Sequence, residues 1–321
     1  MALKSKTIVF FIDSPSLLNP KTDTSISFMR IAAEHGYEIA FFTLPELFYK
    51  NGKLLANLHF INLEFNQLNW YQEVKAEVMC LYEVAAIIIR KNPPFDQNYL
   101  YATYLLELAV KKNVLVSNNP ISIRNINEKI AITHFPALIA PSLISNNIEL
   151  FLTFLEEHKT IVLKPLDNYG GHGIIKLENN NPSASEIISL LLKQGQMMLA
   201  QKFMPEVKNG DKRIVFIANK PIPYFLRRTP AKGNFLANTR FGSSLSIESF
   251  SKQDHEICEI VSSFLSKEDL DFVGIDIIDG FISEINVTSV GATLYFEEMA
   301  GVNIAKLWWE RIDARLKNSL T

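Results

Sequence analysis

The chain has 321 residues, 48% of them hydrophobic and 21% charged, which is enough to bury a large core and to divide into two or three domains around a cleft. Its 32 lysines and arginines stand against 34 aspartates and glutamates, and a formal charge of -2 gives no reason to expect nucleic acid or a membrane surface as partner. The two cysteines, Cys80 and Cys258, are too far apart for a zinc motif or a disulfide scaffold, and read as two buried thiols in a reducing compartment.

The opening apolar run stops at Asp13 after about six residues, short of the apolar core of a signal peptide. Later runs such as VAAIII before Arg90 have strand length and cannot span a bilayer, so the expected location is the cytoplasm. Residues 7–12 predict a strand, 25–35 a helix and 38–44 a second strand, a βαβ opening. Residues 85–90, 99–111 and 114–117 repeat the alternation. They predict a parallel sheet with helices on its faces and a first domain ending near Pro120. After Pro136 and Pro141, a helix is predicted over 148–157 and a strand over 160–164. Residues 201–205 read as a hinge, and 213–218, 222–226 and 272–287 as an antiparallel sheet.

The segment KPLDNYGGHG, residues 164–173, carries Gly170, Gly171 and Gly173, where backbone amides can approach an anion closely. Lys164 adds a cation suited to phosphate. The loop lacks the Walker pattern and the dinucleotide fingerprint, so by itself it also describes a flexible turn, with His172 a loop residue. Asp276, Glu284 and Asn286 punctuate a later β-branched run. Glu284 and Asn286, two apart on a strand, point their oxygens the same way and suit magnesium with bridging phosphates; exposed polar alternation is the other reading. A two-residue turn at Asp279 and Gly280 would set Ile278 opposite Phe281 and turn Asp276 away from Glu284. A shared metal therefore demands an odd loop or a bulge. Asn127, Glu128 and Lys129 read as an exposed helical stretch, and GDKR, residues 210–213, as a charged turn whose Arg213 is able to hold an oxyanion. RKNPPFD, residues 90–96, is a proline-stiffened loop at the sheet edge where open α/β folds bind ligands.

Taken in order, KTDTS (21–25), RKNPPFD, YATYLLE (101–107), NEK (127–129), KPLDNYGG, AQKFMP (200–205), NGDKR (209–213) and EINVTS (284–289) resemble the prokaryotic glutathione synthetase family of the ATP-grasp superfamily. The resemblance implies an α/β and α+β architecture: an amino-terminal parallel-sheet substrate domain over 1–122, an ATP-grasp lobe with a glycine-rich lid over 123–200, and a carboxy-terminal lobe with a metal site over 201–321. It implies that Lys129, Lys164, Gly170 and Gly171 meet ATP phosphates, that Gln201, Lys202, Phe203 and Met204 line the adenine, and that Asp211 meets the ribose. Asp276, Glu284 and Asn286 would hold magnesium, with manganese an alternative. Arg213 and Arg228 would steady the acyl phosphate, while Asp23, Ser25, Arg90 and Ser289 position the acceptor. The implied reaction joins γ-glutamylcysteine to glycine in a homo-oligomeric enzyme, with the glycine loop and residues 229–244 as its lid. Leu236 and Ala237 depart from the family's arginine and glycine in that lid, and Val290 to Tyr295 depart from the family pattern after Ser289. A ligase of the same mechanism with another acceptor or amine, and a catalytically silent nucleotide-binding paralogue, are the alternative expectations.

Overall fold

The computed structural model describes residues 6–64, 70–193 and 195–318; residues 1–5, part of the opening stretch compared above with a signal peptide, lie outside the described residues. Strand β1 (Thr7–Phe11), helix α1 (Thr24–Glu34) and strand β2 (Glu38–Phe42) form the predicted βαβ unit, with the strands parallel from Thr7↔Glu38 to Phe11↔Phe42. Helix α1 starts where it does because the Asp23 carboxylate accepts from the Ser25 amide at 2.7 Å, satisfying a donor left orphaned in the first turn.

The first sheet is mixed rather than parallel. Strands β3 (Leu47–Lys50), β4 (Lys53–Leu63) and β5 (Tyr71–Cys80) pair antiparallel, in a stretch where the sequence pattern suggests no element. A local signal was present at Asn51-Gly52, whose positive φ values of 50° and 81° fit a tight hairpin turn between β3 and β4. Strand β5 also alternates, with Glu73, Lys75 and Glu77 between Val74, Ala76 and Val78, but it is exposed along most of its length, so neither face marks a core. The parallel centre is completed by β6 (Ala86–Ile89) and β7 (Leu115–Ser117), with helices α2 (Gln97–Val110) and α3 (Pro120–Asn125). The order is β3-β4-β2-β1-β6-β7, with β5 against β4.

The second sheet, β10-β9-β11-β8, comprises β8 (Ser142–Ser145), β9 (Thr160–Pro165), β10 (Ile175–Glu178) and β11 (Met198–Lys202). Helices α4 (Ile148–His158) and α5 (Ala184–Leu192) supply Phe151, Leu155 and Ile188 to the core they share with Ile161 and Leu163. Gln201 and Lys202, read as the start of a hinge, instead end β11, paired with Val162 and Ile161.

The third sheet is antiparallel throughout: β12 (Asp211–Ile217), β13 (Lys220–Thr229), β14 (Ser244–Ser249), β15 (Phe272–Ile278) and β16 (Phe281–Asn286), in the order β14-β13-β12-β15-β16. Helix α6 (Lys252–Leu265) packs Ile257 and Val261 into the cluster that holds Ile275 and Ile285. Its Cys258 is buried, which pushes the thiol pKa up to about 12, whereas Cys80 is only half-buried. Helices α7 (Thr293–Ala300) and α8 (Ile304–Asn318) carry the chain back to α1: Trp308 stacks on Phe28 at 4.0 Å, and the Trp309 indole N–H donates to the Phe28 carbonyl at 2.7 Å. Among the described residues no helix is long and apolar enough to cross a membrane.

One buried amide ties the first sheet to the third. Asn118, immediately after β7, donates from Nδ2 to the Phe272 and Val287 carbonyls at 2.7 and 2.8 Å, and accepts at Oδ1 from the Asp271 and Phe272 amides at 2.8 and 2.9 Å. No other side chain of similar size offers two donors and an acceptor with two lone pairs in that space. Asn118→Ala leaves those four backbone groups without this partner and is expected to cost on the order of 3 kcal/mol. The midpoint of urea unfolding reads this loss; an unchanged midpoint refutes it.

Candidate active site

The second and third sheets face each other across a cleft. Lys164, at the end of β9, and Gln201, Lys202, Phe203 and Met204, at the end of β11, line one wall. Asp211, Arg228, Asp276 and Glu284 line the other, and Lys129, Gly170 and Gly171 stand at its rim. An apolar end lined by Val162, Ile174, Phe203 and Ile278, opposite a charged end, suits a ligand with a flat ring and an anionic tail.

The hairpin puzzle resolves through a bulge. Asp279 and Gly280 do form a two-residue turn with φ of 49° and 79°, and Ile278 opposes Phe281. The register then slips by one residue between Asp276 and Ile277, so that Asp276 pairs with Glu284 and Gly274 with Asn286. That extra residue on β16 is what turns Glu284 to the side of the sheet where Asp276 lies.

Burial makes the electrostatics sharp. Asp276 accepts from Arg213 through Nε and, at 2.8 Å, through Nη2, and lies 3.0 Å from Arg228 Nη2. Arg228 also donates to both Asp211 oxygens at 2.7 and 2.6 Å. Both carboxylates are therefore engaged by arginines: Asp211, expected at a ribose, and Asp276, expected on a metal. Burial works to raise the Asp276 pKa, but the two guanidinium groups hold it well below the usual carboxylate range. The same pairing overcomes burial at Arg228 and holds its pKa above the ordinary arginine value.

The two lysines behave differently. Lys129 lies 3.1 Å from Glu284 Oε1 and donates to the Asn168 carbonyl; burial opposes its charge, yet Glu284 and Glu128 keep its pKa above the ordinary lysine value. Lys164 meets the neutral Gln201 Oε1 at 2.6 Å, and burial pushes its pKa down to about 8. Gln201 is held in turn by donation to Ser142 Oγ at 3.1 Å.

The remaining expected residues stand off the cleft wall. Arg213 lies behind Asp276, and Asn286 makes a 3.4 Å contact from Nδ2 to the Gly274 carbonyl. Asp23, Ser25, Arg90 and Ser289 gather where α1, the end of β6 and the segment after β16 meet. Ser25 Oγ accepts from Arg90 Nε at 3.2 Å, Arg90 Nη2 donates to the Val290 carbonyl at 2.8 Å, and Ser289 donates to Asn92 Oδ1 at 2.5 Å. Arg90 is buried between Phe28 and Phe272, which pushes its pKa down to about 10.

This geometry agrees with comparison to known proteins. Residues 7–124 match the model of the prokaryotic glutathione synthetase N-terminal domain, and residues 128–301 match that of its ATP-grasp domain. The chain belongs to the prokaryotic glutathione synthetase family. Relatives named glutathione synthetase include those of Vibrio parahaemolyticus, 36% identical over 95% of this chain and 97% of theirs, and Nitrosomonas europaea, 35% identical over 96% and 98%. Similar solved structures include D-cycloserine synthetase DcsG, with a TM-score of 0.68 at 12% identity, and ATP-grasp ligase PsnB complexed with a precursor variant, Mg and ADP, with a TM-score of 0.63 at 19% identity. They cover 97% and 98% of this chain and 99% of their own, and they show the ATP-grasp fold.

Against that family background, two features were missed in the sequence. In the Asn127-Glu128-Lys129 turn, Glu128 and Lys129 are buried rather than exposed: Glu128 Oε1 accepts from the Val287 amide at 2.8 Å and from the Thr288 amide and hydroxyl at 3.0 and 2.9 Å, and this docks Lys129 beside Glu284. No local pattern announces it, because the partners lie about 160 residues away. The second is contact within the lid. A Cβ on Gly171 would lie 2.8 Å from both Asn238 Oδ1 and Phe241 Cε2, and Arg240 touches His172, so the glycine loop and residues 238–241 interlock over the cleft.

Proposed function

We propose that the chain is a glutathione synthetase. The observation that carries this reading is one cleft in which buried Lys129 and half-buried Lys164 face oxygen ligands, roofed by a glycine loop, in a chain more than one-third identical to glutathione synthetases over nearly its full length. The γ-phosphate of ATP would lie between Lys129 and Lys164, with the base near Gln201, Lys202, Phe203 and Met204. Asp211, paired with Arg228, would meet the ribose.

The donor set around Glu284, Asn286 and Asp276 consists of carboxylate and amide groups, which fits a hard divalent cation, magnesium or manganese, with phosphate oxygens completing its shell. Among the described residues no group of three His, Cys, Asp or Glu side chains is placed to hold an ion by itself. Such an ion neutralises charge on the transferring phosphoryl group. A carboxylate oxygen of γ-glutamylcysteine attacks the γ-phosphorus and ADP leaves; the glycine amine then attacks the acyl carbon and phosphate leaves. Arg228, beside the cleft, and Arg213, behind Asp276, offset the charge of the tetrahedral species. The interlocked lid excludes water from the acyl phosphate.

ADP release with ATP, magnesium and γ-glutamylcysteine, with and without glycine, tests this, with products identified by mass. Glycine-dependent glutathione is the expected result; ADP release with another amine alone overturns the substrate. Leu236 and Ala237 line the cleft where the family pattern has arginine and glycine, which favours an amine panel as the companion experiment. Light scattering checks the homo-oligomer that the family suggests.

The Lys164 pKa of about 8 gives nucleotide binding a pH dependence. Below that value the free protein already carries the cation. Above it, binding takes up a proton, so ATP affinity falls roughly tenfold by one pH unit above the pKa. Calorimetry in buffers of different ionisation enthalpy reads the proton uptake, and Lys164→Arg is expected to flatten the profile; a flat wild-type profile refutes the assignment.

A further inference from the structure

Gly274 interrupts the otherwise branched and apolar β15 segment FVGI, between Val215 on β12 and Asn286 on β16. Glycine in a strand interior weakens the strand, so its presence calls for a local reason. Its backbone is not left-handed, which leaves space as the reason. A Cβ there would lie 2.8 Å from Val290 Cγ1, 3.2 Å from Arg213 Cδ and 3.5 Å from Arg213 Nε. Nε is one of the two atoms through which Arg213 donates to Asp276. On the other side, the Val290 carbonyl is held by Arg90, which is itself held by Ser25 and packed between Phe28 and Phe272.

We propose that Gly274 and Val290 are positioning residues for Arg213. The absent side chain at 274 is the slot in which the Arg213 stem and the Val290 side chain lie together. Arg90 fixes one end of this packed unit through the Val290 carbonyl, and Asp276 fixes the other through the guanidinium. Arg90 thereby acts on the reaction through Val290, with two of its nitrogens committed to protein oxygens. A side chain in the slot moves the Arg213 guanidinium away from the reacting groups while leaving the nucleotide wall around Lys164 and Phe203 in place.

The inference rests on the ligase reading for its kinetic arm, and a spectroscopic arm separates the two. The Nε–Hε NMR resonance of Arg213, assigned by its loss in Arg213→Lys, is read without turnover. An inactive wild type therefore bears on the ligase reading alone. Gly274→Ala is expected to shift that resonance and to lower kcat by as much as ~10²-fold, since a displacement of about 1 Å is enough for that. The KM for ATP is expected to stay within roughly twofold. Adding Val290→Ala, which removes the 2.8 Å neighbour, is expected to return the resonance and kcat toward wild type. An unmoved resonance in folded Gly274→Ala, or a shift that Val290→Ala does not reverse, overturns the proposal. If Gly274→Ala does not fold, Val290→Leu thickens the same contact from the loop side, and an unmoved resonance there overturns it equally.

Discussion

Glu284→Ala is expected to lower kcat by on the order of 10³-fold while unfolding stays cooperative. The Glu284 side chain is 23% exposed on the cleft wall, so water can fill its place, and among the described residues it pairs with Lys129. Lys129 keeps its donation to the Asn168 carbonyl and its neighbour Glu128. The loss therefore falls on turnover rather than on folding. Steady-state ADP release and a urea melt measured on the same preparation check both halves. Near-normal turnover sinks the assignment of Glu284 to a metal, and a collapsed melt shows that the residue is structural.

Asp276→Ala is expected to destabilise the fold by about 3–5 kcal/mol, because it leaves two buried guanidinium groups around an empty space. Arg228 retains Asp211, but Arg213, with 9% of its side chain exposed, has no second ion pair among the described residues. Replacing Arg213 as well, in Arg213→Met/Asp276→Ala, is expected to recover much of the loss, since an apolar stem tolerates the cavity better than an unpaired charge. Urea midpoints of the two variants check this. A single variant within about 1 kcal/mol of wild type would mean that the pair is solvated in solution. Activity is expected to be lost in both.

Together these variants separate two jobs that the sequence presents as one. Asp276, Glu284 and Asn286 look equivalent when read along the chain. In the fold, Glu284 is partly open to the cleft, whereas Asp276 is buried under two arginines. A metal-binding role for Asp276 therefore requires its arginines to be shared with incoming phosphate.

Local signals determined the βαβ opening, the helices predicted over 25–35 and 99–111 that run over 24–34 and 97–110, the glycine loop after β9 and the antiparallel pairing of the third sheet, though not its edge strand β14. Their periodicity and turn residues depend on neighbours a few positions away, and the ordered motifs from KTDTS to EINVTS carried the family. Strand β5 was not read although residues 73–78 alternate polar and apolar, because both of its faces are exposed and no core contact reinforces the pattern. The burial of Glu128 and Lys129, the four-bond bracket of Asn118 and the arginine clasp on Asp276 join residues about 50 to 170 positions apart, and no spacing rule reaches that far. The sharing of one cleft wall by Asp276 and Glu284 required a bulge that sequence logic demanded but had no means to place. The ordered motifs, through the family they resemble, thus named the groups of the candidate site. Which of them are buried, which are paired and which remain open to a ligand was decided only when the three sheets packed, because charge burial and ion pairing depend on distance in space.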